Sequence, residues 1–406
     1  MKRIERARLY PTPTQERRLR FMLDVTRQLY NALLQERRDA FRLRRIAITT
    51  QMQYAEITGL RKDDARVAAV YRECEDAVLR RLDLAFAAFF RRCKSGEAPG
   101  YPRFRPASRW RQLQFPHGNR ALRFDRRQQR LRIPGAGSVR IRKGRAVPAF
   151  GRAWLVEKNG RWYACFECER AIAALAATGK IVGVDRGIAV LAALDDGTRI
   201  ANPAVGERRK TAMARLQRDL DAASLKDGRN RCVNRGDPKR IAAARRLARA
   251  KEREANARRD YAHKIARGIV NAADVIALEK LHLRGMTRSA KGSLKKPGVN
   301  VRAKAGLNRR MLDSGFGLLR QMIVAKAEEA ARTVVEVDAR YSSRTCSRCG
   351  RVDSKNRRGR RFLCVGCGHC AHADVEAARE IRRRAQWALT REPDTGADPV
   401  TPQEAA

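Results

Sequence analysis

The stretch IVGVDRGIAVLAAL, residues 181–194, contains two short apolar runs, and the turn-forming residues DDG follow it at 195–197. We expect two buried strands there. Two more apolar strands are predicted downstream, DVIALE at 274–279 and TVVEVD at 333–338. A charged segment with helical character, about 206–270, precedes the first of these. Strands that alternate with helices predict an α/β domain with a partly parallel sheet.

The part of the chain before this domain has two different patterns. From about residue 14 to 93 apolar residues recur with the helical period, as at Leu19, Met22 and Leu23, which predicts a helical segment. From 96 to 170 short strand-like runs are broken by Gly, Pro and Asn, and Lys158 to Arg161 (KNGR) predicts a tight hairpin. A β-rich module is therefore expected there.

The regions after Glu279 are predicted from composition and periodicity. The basic segment 285–306 contains several glycines and is expected to be a mobile loop, and a helix is predicted from about 308 to 332. The last residues are acidic and contain three prolines, which predicts a disordered tail.

The net charge limits the possible partners. The 406 residues include 90 Lys plus Arg against 43 Asp plus Glu, a formal charge of +47. Nucleic acid is the expected partner, because each phosphate neutralised releases bound counterions. No apolar run is long enough to span a bilayer, and no secretory signal is evident, so we expect a cytoplasmic protein without a membrane partner.

Four of the ten cysteines have the spacing of a zinc site. Cys346 and Cys349 form one CxxC pair, and Cys364 and Cys367 form another after fourteen residues. Two such knuckles can place four thiolates around one structural Zn²⁺. Three nearby residues could substitute as zinc ligands, but we do not expect them to bind the metal: His369, Cys370 and His372. Cys165 and Cys168 lie in an extended run, where side chains three residues apart face opposite ways, so we expect them to pack rather than bind metal.

Three acids stand at element ends. Asp185 follows the strand beginning at Ile181, Glu279 closes DVIALE, and Asp374 begins the helix after the cysteine cluster. Carboxylates that converge in one cleft suit Mg²⁺ or Mn²⁺, and two such ions can cleave a phosphodiester. Taken singly, Asp374 also suits a helix cap and Glu279 an ion pair with Lys280 or Arg284.

The order of these motifs resembles the TnpB family, transposon-encoded proteins related to type V CRISPR effectors. The resemblance rests on GVDRGI, LEKLHLRGM, GLNRRMLDSGFGLLRQMI, VDARYSSRTCSRCG and FLCVGCGHCAHADVEAAREI, with RLYPTPTQ and GYPRFR nearer the start. It implies a multidomain α+β protein in which a RuvC-like, RNase H-fold α/β nuclease domain carries an inserted zinc ribbon. A β-barrel-like wedge domain, interrupted by a helical recognition lobe, precedes it.

The resemblance also implies domain limits and an activity. The expected domains are the wedge (1–13 and 96–178), the recognition lobe (14–95), the RuvC-like domain (179–340 and 371–388), the ribbon (341–370) and the acidic tail (389–406). A guide RNA from the transposon end would direct cleavage of double-stranded DNA beside a short motif. Asp185, Glu279 and Asp374 would be the catalytic acids that hold two Mg²⁺ or Mn²⁺ ions, with activity on bacterial nucleoid DNA.

This sequence departs from the family pattern after the third acid, where Glu376 and Glu380 occupy positions often filled by Asn. Two other functions stay open: a nuclease-silent, RNA-guided DNA-binding regulator, and a transposase or transposition accessory protein. The presence of all three acids argues against the silent regulator. The oligomeric state is not indicated by the sequence.

One charged helical stretch is a candidate nucleic-acid surface. Its basic residues outnumber its acids, so a channel wall is favoured over a merely solvated face. The residues assigned to it are Arg245, Arg246, Arg249, Lys251 and Arg253.

Overall fold

A computed structural model of the protein describes residues 1–142, 147–293 and 296–391. The chain divides into two compact units, residues 1–170 and 171–406. Across the described ranges, every helix is too short or too polar to cross a bilayer.

The first unit contains one antiparallel sheet of seven strands in the order β2-β6-β7-β1-β5-β4-β3. The strands are β1 Lys2–Tyr10, β2 Gln112–Phe115, β3 Arg123–Asp125, β4 Arg130–Ile133, β5 Gly137–Ile141, β6 Ala153–Lys158 and β7 Arg161–Glu169. The predicted β-rich module is therefore present, with β1 as its central strand. In the described residues no pairing joins β2 to β3, so the barrel-like closure stays a prediction.

The β6–β7 connection is the predicted hairpin. Lys158 pairs with Arg161, and the two turn residues Asn159 and Gly160 have φ of 54° and 71°, as a two-residue hairpin turn requires. On β7, Cys168 is buried whereas Cys165 belongs to the half-exposed face, which confirms that these two thiols face opposite ways.

Helices of the first unit cover one face of this sheet. They are α1 Pro13–Arg44, α2 Thr50–Asp63, α3 Ala65–Ala68, α4 Arg72–Lys94 and α5 Gly118–Ala121. Helix α1 begins at Pro13 because Thr12 and Gln15 form a reciprocal capping box. Its apolar stripe, which includes Leu19 and Leu29, shares one core with Leu113 and Leu155 of the sheet. The helical segment predicted from 14 to 93 is confirmed.

The second unit is built on a mixed five-stranded sheet in the order β10-β9-β8-β11-β12. Its strands are β8 Ile181–Asp185, β9 Val190–Leu194, β10 Arg199–Ala201, β11 Val275–Lys280 and β12 Thr333–Asp338. Strands β8, β11 and β12 are parallel, and β9 and β10 are antiparallel additions. The predicted α/β character and partly parallel sheet are confirmed. The names RuvC-like and wedge, and the limits of the domains, stay predictions.

Two predicted boundaries in this unit were wrong. The helices are α6 Val205–Arg208, α7 Lys210–Ala222, α8 Pro238–Ala272, α9 Leu283–Met286, α10 Val301–Ser314 and α11 Phe316–Glu329. The single helix expected from 308 to 332 is broken at Gly315, whose φ is 76°. Helix α10 also begins inside the segment 285–306 that was expected to be a loop, because residues 301–306 (VRAKAG) continue its helical pattern.

The C-terminal region contains a small sheet and a long helix. The sheet has strands β13 Arg357–Arg358, β14 Arg361–Leu363 and β15 Cys370–His372, and the helix is α12 Ala373–Arg391. Residues 389–391, predicted to begin the acidic tail, belong to α12 instead, since the first proline that could stop the helix is Pro393. The remainder of the predicted tail, 392–406, lies outside the described residues.

Gly183 of β8 determines how closely α12 packs on the sheet. A Cβ atom at this position would lie 2.0 Å from the carbonyl oxygen of Ala378 and 2.9 Å from the amide nitrogen of Arg382. Both atoms belong to the backbone of α12, so they cannot turn aside as a side chain could. Only glycine at 183 permits this contact.

We therefore expect Gly183→Ala to lower the free energy of unfolding by about 1–3 kcal/mol or more, because the helix must move away from the strand. Denaturant unfolding of the purified protein measures it. Gly268→Ala on the exposed surface of α8 is the matched control, since a Cβ there meets nothing within 4 Å. That change should stabilise the helix by up to ~1 kcal/mol. Equal midpoints for the two variants would refute the packing argument.

Candidate active site and metal centre

Four thiols meet at one point beside the small C-terminal sheet. The Sγ atoms of Cys346, Cys349, Cys364 and Cys367 all lie within 4.8 Å of one another. The distance from Cys346 to Cys367 is 3.6 Å and that from Cys349 to Cys364 is 3.5 Å, far longer than a disulfide bond. A zinc ion bound about 2.3 Å from each sulfur would hold the sulfurs roughly 3.8 Å apart. The four thiols therefore fit a structural zinc site.

The backbone of both knuckles is shaped for this arrangement. Gly350 and Gly368 each follow a CxxC pair with φ of 75° and 70°, and their amides donate to the carbonyl oxygens of Cys346 and Cys364. The amide of Gly366 also lies 3.4 Å from the Cys364 sulfur. Such N–H groups favour the thiolate form that binds metal.

Glu376 links the segment that carries the four cysteines to α12, the helix that packs on β8 of the five-stranded sheet. Its side chain is completely buried and accepts hydrogen bonds from the Ser347 amide at 2.7 Å and from the His369 ring at 2.9 Å. Ser347 lies inside the first knuckle, and His369 follows the second. Burial alone would raise the pKa of Glu376, but these hydrogen bonds hold it below its ordinary value. One ionised carboxylate thus fastens both knuckles to α12.

The three predicted acids lie on adjacent elements of the second unit. Val184 of β8 pairs with Leu278 of β11, so the next residues, Asp185 and Glu279, are neighbours at the same end of two parallel strands. Asp374 is the second residue of α12, the helix that rests on β8 at Gly183. The structure therefore brings all three sequence-predicted acids to one edge of the sheet.

Burial raises the pKa values of two of these acids. Burial first, and then repulsion from Glu279 and Asp374, raises the pKa of Asp185 to about 8. Burial also raises the pKa of Glu279, which is 6% exposed, although Arg186 opposes the rise. Two carboxylates that resist ionisation beside a third need cations to be stable in their charged forms. The donor set consists of oxygen alone, which fits a hard divalent ion.

The carboxylates are arranged more loosely than the thiols. Among residues 1–142, 147–293 and 296–391, the four cysteines are the one group of metal-binding side chains gathered tightly around a single point. Two of the acids are also in contact with arginines. Arg357 of β13 forms an ion pair with Asp374 at 2.9 Å, and Arg186 donates from its backbone to the Glu279 carboxylate at 3.3 Å.

These arginines were missed by the sequence analysis. The Arg186 side chain is 5% exposed and donates to the backbone carbonyls of Glu279 and Phe316. It therefore fixes the end of β11 that carries Glu279. A signal existed for Arg186, since it follows Asp185 directly, but no pattern in the sequence pairs Arg357 with Asp374.

Asp195, in the predicted DDG turn, and Glu376, at a position often filled by Asn, both have structural roles. Asp195 accepts from the Gly183 amide at 2.8 Å and pairs with Arg382 at 2.7 Å, and Glu376 is buried in the ribbon junction. Glu380, also completely buried, pairs with Arg383 and Arg384. The glutamates at the positions often filled by Asn are therefore packed against arginine and the ribbon, away from solvent.

The predicted basic surface lies on α8. Arg245, Arg246 and Arg253 are exposed, and at 3.6 residues per turn they share one side of the helix with Arg249. Lys251 faces elsewhere and lines a groove that also contains Glu254 and Arg258. The role of these five residues in nucleic-acid binding stays a prediction.

We expect Glu376→Ala to loosen the ribbon, because it leaves the Ser347 amide and the His369 ring without their acceptor. Losing one partner of a buried charged pair typically costs about 3 kcal/mol or more. Zinc release to a chromogenic chelator should become faster, and the free energy of unfolding should fall.

Glu376→Gln keeps an oxygen acceptor and should retain more zinc than the alanine variant. Asp196→Ala is the control, since this exposed turn acid accepts only from the Thr198 amide. Zinc release that is the same in Glu376→Ala and Asp196→Ala would show that the junction does not hold the ribbon.

Three family models match the chain. Residues 1–45 match a helix-turn-helix domain model, although the structure forms one strand and one continuous helix there. Residues 163–290 match the model described as a probable transposase. Residues 316–381, which include the four cysteines and Asp374, match the Cas12f1-like TNB domain.

Relatives and a solved structure extend these matches over most of the chain. A putative RNA-guided DNA endonuclease of Streptomyces pristinaespiralis is 27% identical over 397 residues, covering 94% of this chain and 89% of the relative. The structure of the mini-RNA-guided endonuclease CRISPR-Cas_phi3 superposes with a TM-score of 0.50 at 10% identity, covering 98% of this chain and 94% of that one. This likeness shows a shared fold.

The putative RNA-guided DNA endonuclease InsQ of Escherichia coli (strain K12) is 31% identical over 306 residues, covering 75% of this chain and 72% of the relative. Together with the three acids and the four-cysteine ribbon found on one unit, this similarity means that the chain belongs to the TnpB family.

Proposed function

We propose that this protein is an RNA-guided DNA endonuclease with one metal-dependent active site formed by Asp185, Glu279 and Asp374. The observation that carries the proposal is the convergence of three acids: Asp185 and Glu279 are neighbours at the ends of β8 and β11, and Asp374 begins the helix packed on β8. Burial and the other two acids also raise the pKa of Asp185. A fold that gathers like charges in this way without binding a cation would only lose stability. The names of the E. coli and Streptomyces relatives support the same activity.

Each acid has a distinct structural support. Asp185 ends β8, Glu279 is held in place by Arg186, and Asp374 approaches from α12 while Arg357 balances its charge. The three carboxylates would hold two Mg²⁺ or Mn²⁺ ions. Ions bound there would lower the pKa of an attacking water and stabilise the leaving oxygen of the phosphodiester. Before the ions bind, Arg186 and Arg357 would keep the carboxylates oriented and partly neutralised.

The proposed architecture assigns the remaining parts of the chain to nucleic acid. The second unit would be the RuvC-like domain with its zinc ribbon, and the first unit the wedge with the helical recognition lobe. A guide RNA from the transposon end would neutralise much of the +47 charge and supply target specificity by base pairing. The protein would recognise a short flanking DNA motif and act in the cytoplasm on nucleoid DNA.

The test is cleavage of a plasmid by the protein together with the RNA that copurifies with it. Asp185→Ala, Glu279→Ala and Asp374→Ala should each reduce cleavage by about 10³-fold or more, because each removes an oxygen ligand. Target binding in a gel-shift assay should change little, since the phosphate contacts are elsewhere.

Asp196→Ala is the control for these variants, whereas Asp195 and Glu376 are unsuitable because Asp195 binds the Gly183 amide and Glu376 is buried in the ribbon junction. If Asp185→Ala still cuts, or if Asp196→Ala loses as much activity, the active site has been placed wrongly. If RNA-free protein cuts the target fully, the protein is not RNA-guided.

The acid cluster also predicts how stability depends on pH without metal. Unfolded Asp185 releases its proton near its ordinary pKa, and the folded residue releases it near 8, so the native state holds the extra proton in between. Stability must then fall as pH rises across this interval. In buffer without Mg²⁺ and without a chelator, so that the zinc stays bound, we expect the unfolding midpoint to decrease from pH 5 to pH 8.5.

Added Mg²⁺ should reverse that decrease, because the cation replaces the proton. Asp185→Asn supplies the comparison, since it cannot ionise and should show a flatter profile in Mg²⁺-free buffer and a weaker response to Mg²⁺. Parallel profiles for the wild type and Asp185→Asn would contradict the raised pKa.

A further inference from the structure

The first unit contains a basic pocket that none of the proposed catalytic or zinc-binding residues lines. Its volume is about 540 Å³, within the roughly 300–1,000 Å³ typical of small-ligand sites. It lies where the start of α1 meets β1, β4, β5 and β7. Four arginines line it together with Tyr10 and Trp162: Arg8, Arg130, Arg140 and Arg161.

These arginines are not balanced by acids. Within the described part of the chain none of the four forms an ion pair with a carboxylate, and the one acid that lines the pocket, Glu16, pairs with Arg20 at 2.6 Å. Arg130 and Arg140 also stand directly opposite each other on β4 and β5. Like charges at such cross-strand positions destabilise a sheet unless an anion lies between them.

Tyr10 holds two of the cations in place. Arg8 and Arg140 each lie 5.0 Å from the centroid of its ring, and Tyr10 pairs with Arg140 across β1 and β5. The ring therefore serves the arginines by cation–π contact. A ligand would meet guanidinium groups here before it meets the aromatic face.

One buried donor at this pocket lacks an acceptor. Within the described part of the chain the Nε of Arg8 is buried without a hydrogen-bond partner. Buried polar groups of native proteins are nearly always paired, because leaving one unpaired costs free energy. A phosphate group suits these arginines, because it offers negative charge and hydrogen-bond acceptors and has no donors that would oppose theirs.

We propose that this pocket binds one phosphate, with its attached nucleotide, of the RNA that the protein carries. The inference rests on the proposed function for the identity of that RNA. A permanently bound strand is favoured over a transient DNA target, because the unpaired Arg8 donor and the opposed Arg130 and Arg140 destabilise the folded protein whenever the pocket is empty. The ligand therefore contributes to the stability of the first unit as well as to RNA affinity.

The test compares the double variant R130Q/R140Q with R132Q, using the RNA extracted from the purified complex and a DNA oligonucleotide of the same sequence. Arg132 is the matched control: it is exposed on the same strand as Arg130, carries the same charge and does not line the pocket. Filter binding at several salt concentrations gives affinity and salt slope.

We expect R130Q/R140Q to bind the RNA roughly tenfold more weakly and to reduce the salt slope by about 0.7 for the one phosphate released. Its unfolding midpoint in the absence of RNA should stay the same or rise, since the cross-strand repulsion is removed. Phosphate-ethylation interference on the RNA should show one position that matters for the wild type and for R132Q but not for the double variant.

Equal RNA affinity in R130Q/R140Q and R132Q, or an interference pattern unchanged in the double variant, would overturn the pocket assignment while leaving the guided-nuclease proposal intact. A loss confined to the DNA oligonucleotide would equally overturn it, since the ligand would then be target DNA. If the protein bound no RNA at all, the proposed function itself would fail.

Discussion

The contact between α12 and β8 is the constraint on which the second unit depends. At Gly183 the helix backbone lies where any other residue would have its Cβ. The same helix carries Asp374 at its start, and the same strand ends in Asp185. A displacement of the helix by the width of a methyl group would therefore move one acid relative to the other two. The geometry of the candidate active site is set by backbone packing rather than by the acids themselves.

The zinc ribbon reinforces this contact from the other side. Glu376 and Glu380 are both buried on α12: Glu376 accepts from Ser347 and His369 of the ribbon, and Glu380 pairs with Arg384 of the same helix, which donates to the carbonyl oxygens of Asp338 and Arg340. Asp195 adds a third link between α12 and the sheet, because it forms an ion pair with Arg382 of the helix. Buried charges of this kind contribute little net stability, but they are costly to separate, so they fix one arrangement of helix, ribbon and sheet.

Most strands and the cluster of four cysteines could be predicted from the sequence, because strand periodicity and the CxxC spacing are local signals. The sequence placed Asp185 and Glu279 at strand ends, which the register of β8 and β11 bears out. It failed where the outcome depends on distant partners. Glu376 and Asp195 are acidic, yet Glu376 is buried against the Ser347 amide, and Asp195 accepts from the Gly183 amide and pairs with Arg382. The break at Gly315 was missed because apolar periodicity continues across it.

The late position of α12 also affects how the site is formed during synthesis. Asp185 and Glu279 belong to strands that can pair as soon as residue 280 has left the ribosome, but Asp374 is made after another 94 residues. At roughly 5–20 residues per second the half-built centre would persist for several seconds. During that interval Asp185 and Glu279 lack α12 and the third acid that it carries. The candidate active site is therefore complete only after the ribbon and its helix have been translated.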